Sequence, residues 1–408
     1  MKLVVQVKLL PSADQAGALQ TTLHAANAAA NQVSQVAYEK KVFRNFALRK
    51  HTYQDIRAAG LGSQAAQHVI KKVAGAYRAL HSNIKNGNYG KPGSKRWLKV
   101  QSKPIGFRPD AAQPYDQRNL SFALDARTIS LWTLPGRLKD MPFTCSAETL
   151  KALAEYPRGE SDLLYRDGIW LLIVTVDVTE AELNSEPAGW LGVDLGIVNI
   201  ATTSDGERMS SRAINRYRRR QLALRKRLQA KQTKSAKRVL KRQRRKEQRR
   251  ARDINHCIAK RIVTEAERTG RGIALEDLTG IRARVRLRKP QRVMMSSWAF
   301  AQLGSFIAYK AQRSGVPVVH VDPRCTSKEC ADCHHIANLN RASQALFICR
   351  GCGVVAHADR NASRNIAARA AAAWDAGRQS SVPAAGDCGQ DVAGSPAASR
   401  SLATSLAL

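Results

Sequence analysis

Four cysteines in the last third of the sequence have the spacing of a metal site. Cys330 and Cys333 form one C-x-x-C pair, Cys349 and Cys352 form a second, and fifteen residues (334–348) separate the pairs. A loop this short can bring four thiolates onto a tetrahedron, the geometry and ligand softness that zinc favours in a closed structural site. A redox dithiol or a pair of disulfides would not explain the matched spacing. The sequence therefore predicts one structural zinc ion.

Three carboxylates stand at the edges of apolar runs or of a helix. Asp194 ends the alternating run WLGVD, Glu276 ends the apolar run GIALE, and Asp359 lies in HADRN, directly after the cysteines. A carboxylate held in an apolar sheet is costly unless it is paired or binds a cation. Taken singly, they could equally be a turn aspartate, a glutamate that starts a loop and an acid at a helix N-terminus. Together they fit a ribonuclease-H-like sheet that gathers three carboxylates around two divalent ions.

The charge of the chain indicates a nucleic-acid partner. Lys and Arg total 67 against 32 acidic residues, a net charge of +35 that exceeds what solubility needs. The excess is densest between Arg208 and Arg252, where only Glu247 opposes it. Apolar residues recur there at loosely helical spacing: Leu222, Leu228, Val239, Leu240 and Ile254. We interpret this run as a basic helical hairpin that binds phosphates, with a solvated charged face or nonspecific adhesion as the alternatives.

The remaining sequence indicates a multidomain α/β protein. Residues 1–10 alternate like a strand, helical patterns occupy roughly 13–41 and 63–86, and short β-prone runs dominate from about 100 to 178. This pattern predicts a β-barrel whose first strand is the N-terminus, with a helical lobe inserted after that strand. The predicted domains are a barrel at 1–10 and 96–182, a helical lobe at 11–95, an α/β domain with the three carboxylates at 188–328 and 355–378, a zinc ribbon at 329–354, and a disordered tail at 379–408.

Several absences narrow the function. The chain has no apolar run of eighteen residues, and Lys8 interrupts its apolar N-terminal stretch, so we expect neither a membrane span nor a signal peptide but a cytoplasmic, nucleoid-associated protein. It has no GKS or GKT phosphate loop, so we do not expect an ATP-driven mechanism. Cys145, Cys257 and Cys388 are scattered without partners at a recognisable spacing.

The order of motifs in the second half resembles a known family. VDLGIVNIATTSDG, IALEDLTGIR, WAFAQLGSFIAYKAQRSGV, VDPRCTSKECADCHH, FICRGCG and HADRNASRNIA look like successive motifs of the TnpB proteins of insertion sequences. They also resemble the related compact type V CRISPR effectors, whereas the first half of the chain matches more loosely. The resemblance implies an RNA-guided DNA endonuclease with a single RuvC-like site, a β-barrel wedge domain and a helical recognition lobe.

The resemblance also implies the site residues and partners. Asp194, Glu276 and Asp359 would bind two magnesium ions, and the four cysteines would bind zinc. The partners would be a guide RNA and double-stranded DNA with a short flanking motif, while the oligomeric state stays open. Two positions depart from the family pattern. Cys325 stands where a cysteine is unusual, and we interpret it as a small buried residue, with a fifth thiol near the zinc as the alternative. His334 replaces a common glycine; it or the adjacent His335 could replace a cysteine ligand, but the ideal spacing favours the four cysteines.

Basic and aromatic residues complete the predicted nucleic-acid surface. Tyr89 and Trp97 lie in a Gly- and Lys-rich loop that can present a ring beside a phosphate clamp, whereas we interpret Tyr77 as core and Trp298 as packing against the nuclease sheet. The predicted contacts are Arg218, Arg219, Arg220, Arg225, Lys226, Arg227, Lys241, Arg242, Arg244, Arg245, Tyr89, Lys91 and Trp97.

Four alternative functions remain open at this point. A CRISPR effector would use a CRISPR RNA, whereas the favoured guide is encoded by a transposon. A guide-free structure-selective nuclease and a transposase could use the same carboxylates. A binding-only repressor would have lost one or more of the acids, and all three are present.

Overall fold

The computed structural model describes residues 1–278 and 300–377 and divides into two compact units. The first is Met1–Thr179 and the second begins at Glu180. The elements of the first unit are β1 (Lys2–Leu9), α1 (Ala13–Lys40), α2 (Asn45–Ala58), α3 (Ser63–Lys85), α4 (Lys95–Gln101), β2 (Gln113–Tyr115), β3 (Leu120–Ala123), β4 (Thr128–Thr133), β5 (Gly136–Thr144), α5 (Ala147–Glu155), β6 (Arg158–Arg166) and β7 (Ile169–Asp177).

One antiparallel sheet organises the first unit. Its seven strands run in the order β2-β6-β7-β1-β5-β4-β3, so the N-terminal strand lies in the middle, between β7 and β5. The two outermost strands, β2 and β3, are consecutive in the chain and only residues 116–119 join them. The sheet must therefore curl until its ends approach each other, and the Tyr115 hydroxyl of β2 donates a hydrogen bond to the Trp132 carbonyl of β4 at 3.1 Å. The strands thus form the barrel-like sheet that the sequence predicts.

Helices α1 to α3 form a second core in this unit. A capping box in which Ser12 and Gln15 exchange hydrogen bonds starts α1, and the buried faces of the three helices meet around Ala30, Ile56 and Val69. Tyr77 is buried as predicted, with its hydroxyl donating to the Ser34 carbonyl at 3.0 Å. The sequence patterns did not indicate α2.

The prediction that Trp97 lies in a loop is wrong. Trp97 lies on α4, because the Ser94 hydroxyl accepts a hydrogen bond from the Trp97 backbone N–H at 3.3 Å and so caps a short helix. The glycines of this region, Gly87, Gly90 and Gly93, all precede that cap. They end α3 and form the turn, and nothing in KRWLKVQ interrupts a helix.

The second unit contains a mixed sheet. Its elements are β8 (Trp190–Asp194), β9 (Asn199–Thr203), β10 (Arg208–Ser210), α6 (Arg212–Lys231), α7 (Lys234–Arg268), β11 (Gly272–Glu276), α8 (Phe300–Arg313), β12 (Val318–Val321), a 3-10 turn (Asn338–Asn340), β13 (Leu346–Ile348), β14 (Val355–His357) and α9 (Ala358–Asp375). The sheet order is β10-β9-β8-β11-β12, with β8, β11 and β12 parallel and β9 antiparallel to β8.

Helices cover both faces of this sheet. Leu191, Val193 and Leu275 point into a core shared with α7 and α8, whereas Trp190 and Ala274 pack against α9. Because side chains alternate along a strand, Asp194 and Glu276 lie on the same face as Trp190 and Ala274. Both carboxylates therefore project towards α9.

The basic run forms two helices, as predicted. Helix α6 ends at Gln232 in the left-handed conformation, and Thr233 then caps α7. Arg225 of α6 and Glu247 of α7 join the two helices through a 2.9 Å ion pair. Across the described ranges, no helix has both the length and the apolar character to cross a membrane. The predictions for Trp298, Cys388 and the tail at 379–408 concern residues outside these ranges.

Candidate active site and four-cysteine cluster

Two of the predicted carboxylates end neighbouring parallel strands. Val193 of β8 is paired with Leu275 of β11, and Asp194 and Glu276 are the next residues of the two strands. Both side chains therefore leave the sheet at the same edge and on the same face. The parallel pairing explains why residues 82 positions apart come together.

The start of α9 brings the third carboxylate to this edge. Asp359 lies in the first turn of α9 and is 5% exposed. Helix α9 lies unusually close to β8, because Gly192 has no side chain: a Cβ atom there would lie 2.7 Å from the Ala367 backbone nitrogen. The close approach of helix and strand thus places Asp359 beside Asp194.

Neutral and cationic donors hold two of the carboxylates. Asp359 accepts hydrogen bonds from the Asn199 amide at 2.9 Å and from the Arg341 guanidinium at 3.1 Å. Glu276 accepts a hydrogen bond from the Thr326 hydroxyl at 2.6 Å. None of these three donors was predicted from the sequence. Asn199 lies within a recognised motif, but Arg341 lies in a loop whose sequence carries no pattern.

The site carries an excess of negative charge. Burial raises the pKa of Asp194 well above its ordinary value, and the nearby Glu276 and Asp359 raise it further, while Arg341 acts in the opposite direction. Burial also raises the pKa of Glu276, partly offset by its hydrogen bond from Thr326 and by Arg369. Clustered carboxylates whose charged forms are disfavoured are relieved by a bound cation. Oxygen ligands of this kind suit a hard divalent ion.

The four predicted cysteines come together as a compact group. Their sulfur atoms all lie within 4.8 Å of one another, with Cys330 3.7 Å from Cys352 and Cys333 3.5 Å from Cys349. Zn–S bonds of about 2.3 Å in a tetrahedron place sulfur atoms about 3.8 Å apart, so the group fits a single metal ion of that kind. The backbone N–H groups of Gly351 and Cys352 both point at the Cys349 sulfur, at 3.4 Å. The three carboxylates, within the part of the chain described, do not form a group as tight as this.

The two departures from the family pattern lie outside the thiol group. Cys325 is buried, as predicted, and is not one of the four clustered sulfurs. His334 instead directs its Nδ1 to the Glu329 carboxylate at 3.1 Å. Neither residue therefore takes the place of one of the four clustered cysteines in this structure.

Most predicted nucleic-acid residues are accessible. Arg219, Arg220, Arg225, Lys226, Arg227, Lys241, Arg242 and Arg244 are exposed and Arg245 is half-buried. Arg218 differs, because it is only 7% exposed, and we leave it out of the proposed surface. In the first unit Lys91 is exposed, Tyr89 and Trp97 are half-buried, and the Arg96 guanidinium lies 5.5 Å from the centre of the Tyr89 ring.

Two family models match parts of the chain between residues 173 and 366. Residues 173–279 match a family described as a probable transposase of the OrfB IS605 type, and residues 300–366 match the TNB domain of Cas12f1-like proteins. Asp194 and Glu276 lie within the first match, and Asp359 and the four cysteines lie within the second. The chain is therefore related to both groups, which confirms the resemblance that its motifs indicated.

Individual relatives come from the same two groups. The chain is 41% identical over 114 residues to a CRISPR-associated endodeoxyribonuclease Cas12f1 of Sulfoacidibacillus thermotolerans, covering 28% of this chain and 26% of the relative. It is 36% identical over 122 residues to a TnpB-like protein of Methanocaldococcus jannaschii, covering 30% and 43%. It is 28% identical over 226 residues to the putative RNA-guided DNA endonuclease InsQ of Escherichia coli, covering 49% and 54%. The matches thus span between about a quarter and about half of these relatives' lengths.

A solved structure shares the fold over a larger part of the chain. The cryo-EM structure of a Cas12f1–sgRNA–target DNA complex matches with a TM-score of 0.59 and 16% identity, covering 86% of this chain and 83% of that one. At this identity the match concerns the fold alone.

Proposed function

We propose that this chain is an RNA-guided DNA endonuclease that hydrolyses phosphodiester bonds at a single RuvC-like site. The observation that carries the proposal is the convergence of Asp194, Glu276 and Asp359 from two adjacent parallel strands and the first turn of α9. Carboxylates gathered in this way are the usual ligands of paired divalent ions in nucleases. All three acids are present, so the proposal is a cleaving enzyme and not a binding-only relative.

The proposed cofactors of this site are two magnesium ions held by the three carboxylates. Bound divalent ions supply a nucleophilic water at neutral pH and stabilise the leaving oxygen. The protein's part is to fix the ligands. The Asn199 amide and the Thr326 hydroxyl each bind one carboxylate oxygen and restrict its rotation. Arg341 neutralises part of the charge on Asp359, and it is our candidate contact for the scissile phosphate, since a guanidinium pairs as readily with phosphate as with carboxylate.

We assign zinc to the four-cysteine group. Four thiolates are a soft ligand set, and the separations of their sulfur atoms agree with tetrahedral coordination. Such a closed site has no open position for a substrate, so its role is to hold residues 329–354 in shape. Arg341 belongs to this segment, which connects the metal-stabilised loop directly to Asp359.

The proposed partners are a guide RNA and a double-stranded DNA target. The exposed cations of α6 and α7 form a surface for nucleic-acid phosphates, and a +35 chain releases many counterions on binding. Base pairing between guide and target would then select the sequence, while the helical lobe and the barrel-like sheet read a short flanking motif. The relatives include both TnpB-like and CRISPR-associated proteins, and we favour a guide encoded by a transposon.

Sequencing the RNA that copurifies with the protein from its native host tests the guide. We expect one defined species with a constant scaffold and a variable end. A variable end that matches DNA beside the protein's own gene indicates a transposon-encoded guide, and one that matches a repeat-spacer array indicates a CRISPR effector. A heterogeneous mixture of ribosomal and transfer RNA would contradict a guide and favour a guide-free nuclease.

A further inference from the structure

One face of α9 binds the loop that leads into the first cysteine pair. Asn361, Asn365 and Arg369 are spaced four residues apart and therefore lie on one side of the helix. The Asn361 amide donates to the Glu329 carbonyl at 2.7 Å, and the Asn365 amide donates to the carbonyls of Glu329 and Thr326 at 2.8 and 2.9 Å. The helix that begins with Asp359 thus holds the backbone directly before Cys330.

A buried ion pair completes this attachment. The Arg369 guanidinium lies 2.6 Å from the Glu329 carboxylate, and the two side chains are only 9% and 10% exposed. The same guanidinium also donates to the carbonyls of Asp322 and Arg324, at 2.8 and 2.6 Å. A buried ion pair need not add net stability, but it favours one position of the loop against the helix. Any other position would leave a buried charge without its partner, which costs free energy. Arg369 therefore has a geometric role, which is to set where the loop 322–330 lies.

The same loop carries the hydroxyl that contacts Glu276. Thr326 Oγ1 donates to Glu276 Oε1 at 2.6 Å and lies 3.1 Å from the Pro323 carbonyl oxygen. The backbone therefore connects Cys330 and Glu329 to Thr326, with the Asn365 amide bridging the Glu329 and Thr326 carbonyls, and the Thr326 hydroxyl completes a path to Glu276. Asn365 and Arg369 hold that path against α9.

We propose that Thr326 and Arg369 are positioning residues that fix the Glu276 carboxylate relative to the four-cysteine group, so that metal binding at the cysteines strengthens divalent-ion binding at the carboxylates. This inference rests on the proposed function of the carboxylate site. Partners of a ligating group orient it, and their removal typically weakens metal binding by about 10- to 100-fold. Metal binding at the cysteines also orders residues 329–354. It therefore fixes the position of Glu329, which lies at the cysteine end of the path to Glu276.

Mn²⁺ binding to the full-length protein, measured by electron paramagnetic resonance, tests the role of Thr326. Thr326→Val keeps the shape of the side chain and removes its hydroxyl, whereas Thr326→Ser keeps the hydroxyl. We expect Thr326→Val to raise the half-saturating Mn²⁺ concentration by about tenfold or more. Thr326→Ser should stay close to wild type, and zinc content should be unchanged in both. Wild-type Mn²⁺ affinity in Thr326→Val would overturn the inference.

A matched pair of arginine variants tests the ion pair. Arg369→Met should weaken Mn²⁺ binding as Thr326→Val does, although loss of a cation that acts on Glu276 would by itself strengthen it. The double variant should be little worse than either single one, because both act through one path. Arg364→Met is the control. Arg364 also joins α9 to the cysteine segment, through Asp332 at 2.7 Å, but that pair is exposed, and the charge that acts on the Glu276 pKa is that of Arg369 and not of Arg364. Equal Mn²⁺ binding by the Arg369 and Arg364 variants would contradict the proposed path.

Removing zinc tests the coupling itself. After chelation and removal of the chelator, wild-type protein should bind Mn²⁺ more weakly, whereas Thr326→Val should lose little further affinity. An unchanged wild-type affinity would overturn the coupling. Asp194→Ala separates this outcome from failure of the proposed function: if wild type binds Mn²⁺ no better than Asp194→Ala, the carboxylate site itself is wrong.

Discussion

The backbone of Ser363 lies directly against Gly192, so that α9 rests on β8 with no side chain between them. A Cβ atom at position 192 would overlap the Ser363 carbonyl oxygen and lie 3.0 Å from the Ala367 Cβ. Gly192 is two residues before Asp194, and Ser363 is four residues after Asp359. The close contact therefore sets the separation of two proposed metal ligands from opposite sides.

Gly192→Ala should destabilise the second unit. The added methyl group meets helix backbone, which cannot move aside as a flexible side chain can, so we expect a loss of about 1–3 kcal/mol in the free energy of unfolding. Gly304→Ala is the control, because Gly304 lies on α8 with nothing within 4 Å of an added Cβ. That change should be neutral or stabilise by up to about 1 kcal/mol. Chemical denaturation of both variants measures the difference, and equal stabilities would contradict the close packing.

Asp194→Asn should stabilise the metal-free protein at neutral pH. Burial and the neighbouring acids raise the Asp194 pKa well above its ordinary value of 3.8, so the native state holds the proton more tightly than the unfolded chain does. This contribution to stability is fully present below about pH 3.8 and is lost as the pH rises through the raised pKa. Asparagine resembles the neutral form at every pH. The melting temperature of Asp194→Asn should therefore exceed that of wild type, by a margin that widens as the pH rises.

Added Mg²⁺ should reverse that order. A divalent ion that binds the native carboxylates raises the wild-type melting temperature by mass action, whereas Asp194→Asn lacks one ligand charge and should respond weakly. If the difference in melting temperature between wild type and Asp194→Asn changes with neither pH nor Mg²⁺, then Asp194 is not a buried, destabilising carboxylate that binds a cation.

Cys352→Ser should release the metal held by the cysteine group and loosen residues 329–354. Structural metal binding contributes folding free energy, so the loss of one of four thiolates weakens the fold of the loop that it closes. Cys257→Ser is the control, because Cys257 is exposed and outside the cluster. Elemental analysis should give about one zinc per chain for wild type and Cys257→Ser, and less for Cys352→Ser. Wild-type protein without zinc would contradict the assignment.

Replacing Arg220, Lys226 and Arg227, which are exposed cations of α6, together by Gln should weaken RNA binding and flatten its dependence on salt. Each lost phosphate contact removes about 0.7–0.9 from the slope of log K against log salt, so the slope should fall by about 2–3. Arg268→Gln is the control, because the Arg268 guanidinium already pairs with both oxygens of Glu265, at 3.1 and 2.7 Å. An unchanged slope in the triple variant would show that α6 does not bind the RNA.

Much of the site could be predicted from the sequence because it depends on local patterns. The alternation in WLGVD indicates which face of β8 carries Asp194, and the paired C-x-x-C spacing is enough to group the cysteines. The Ser12 capping box marks the start of α1, and the polar, basic run with sparse leucines indicates the hairpin. Each of these features is encoded within a short stretch of sequence, so it can be predicted without knowing the tertiary contacts.

The missed features depend on contacts between distant residues. Arg341 reaches Asp359 only because the cysteine segment folds back over the start of α9, and Thr326 reaches Glu276 across 50 positions. Arg218 belongs to the same basic run as its exposed neighbours, and only the packing of α6 shows that it is buried. Composition and spacing cannot distinguish such a residue from a phosphate contact.

DNA cleavage by the purified protein with its copurified RNA tests the central claim most directly. In Mg²⁺, the complex should cut a plasmid that carries the sequence matching the variable end of the RNA and leave a mismatched plasmid intact. Asp194→Ala should bind the matched plasmid without cutting it, because one of the three metal ligands is gone. Equal cutting of both plasmids, joining of DNA ends, or near wild-type cutting by Asp194→Ala would contradict the account.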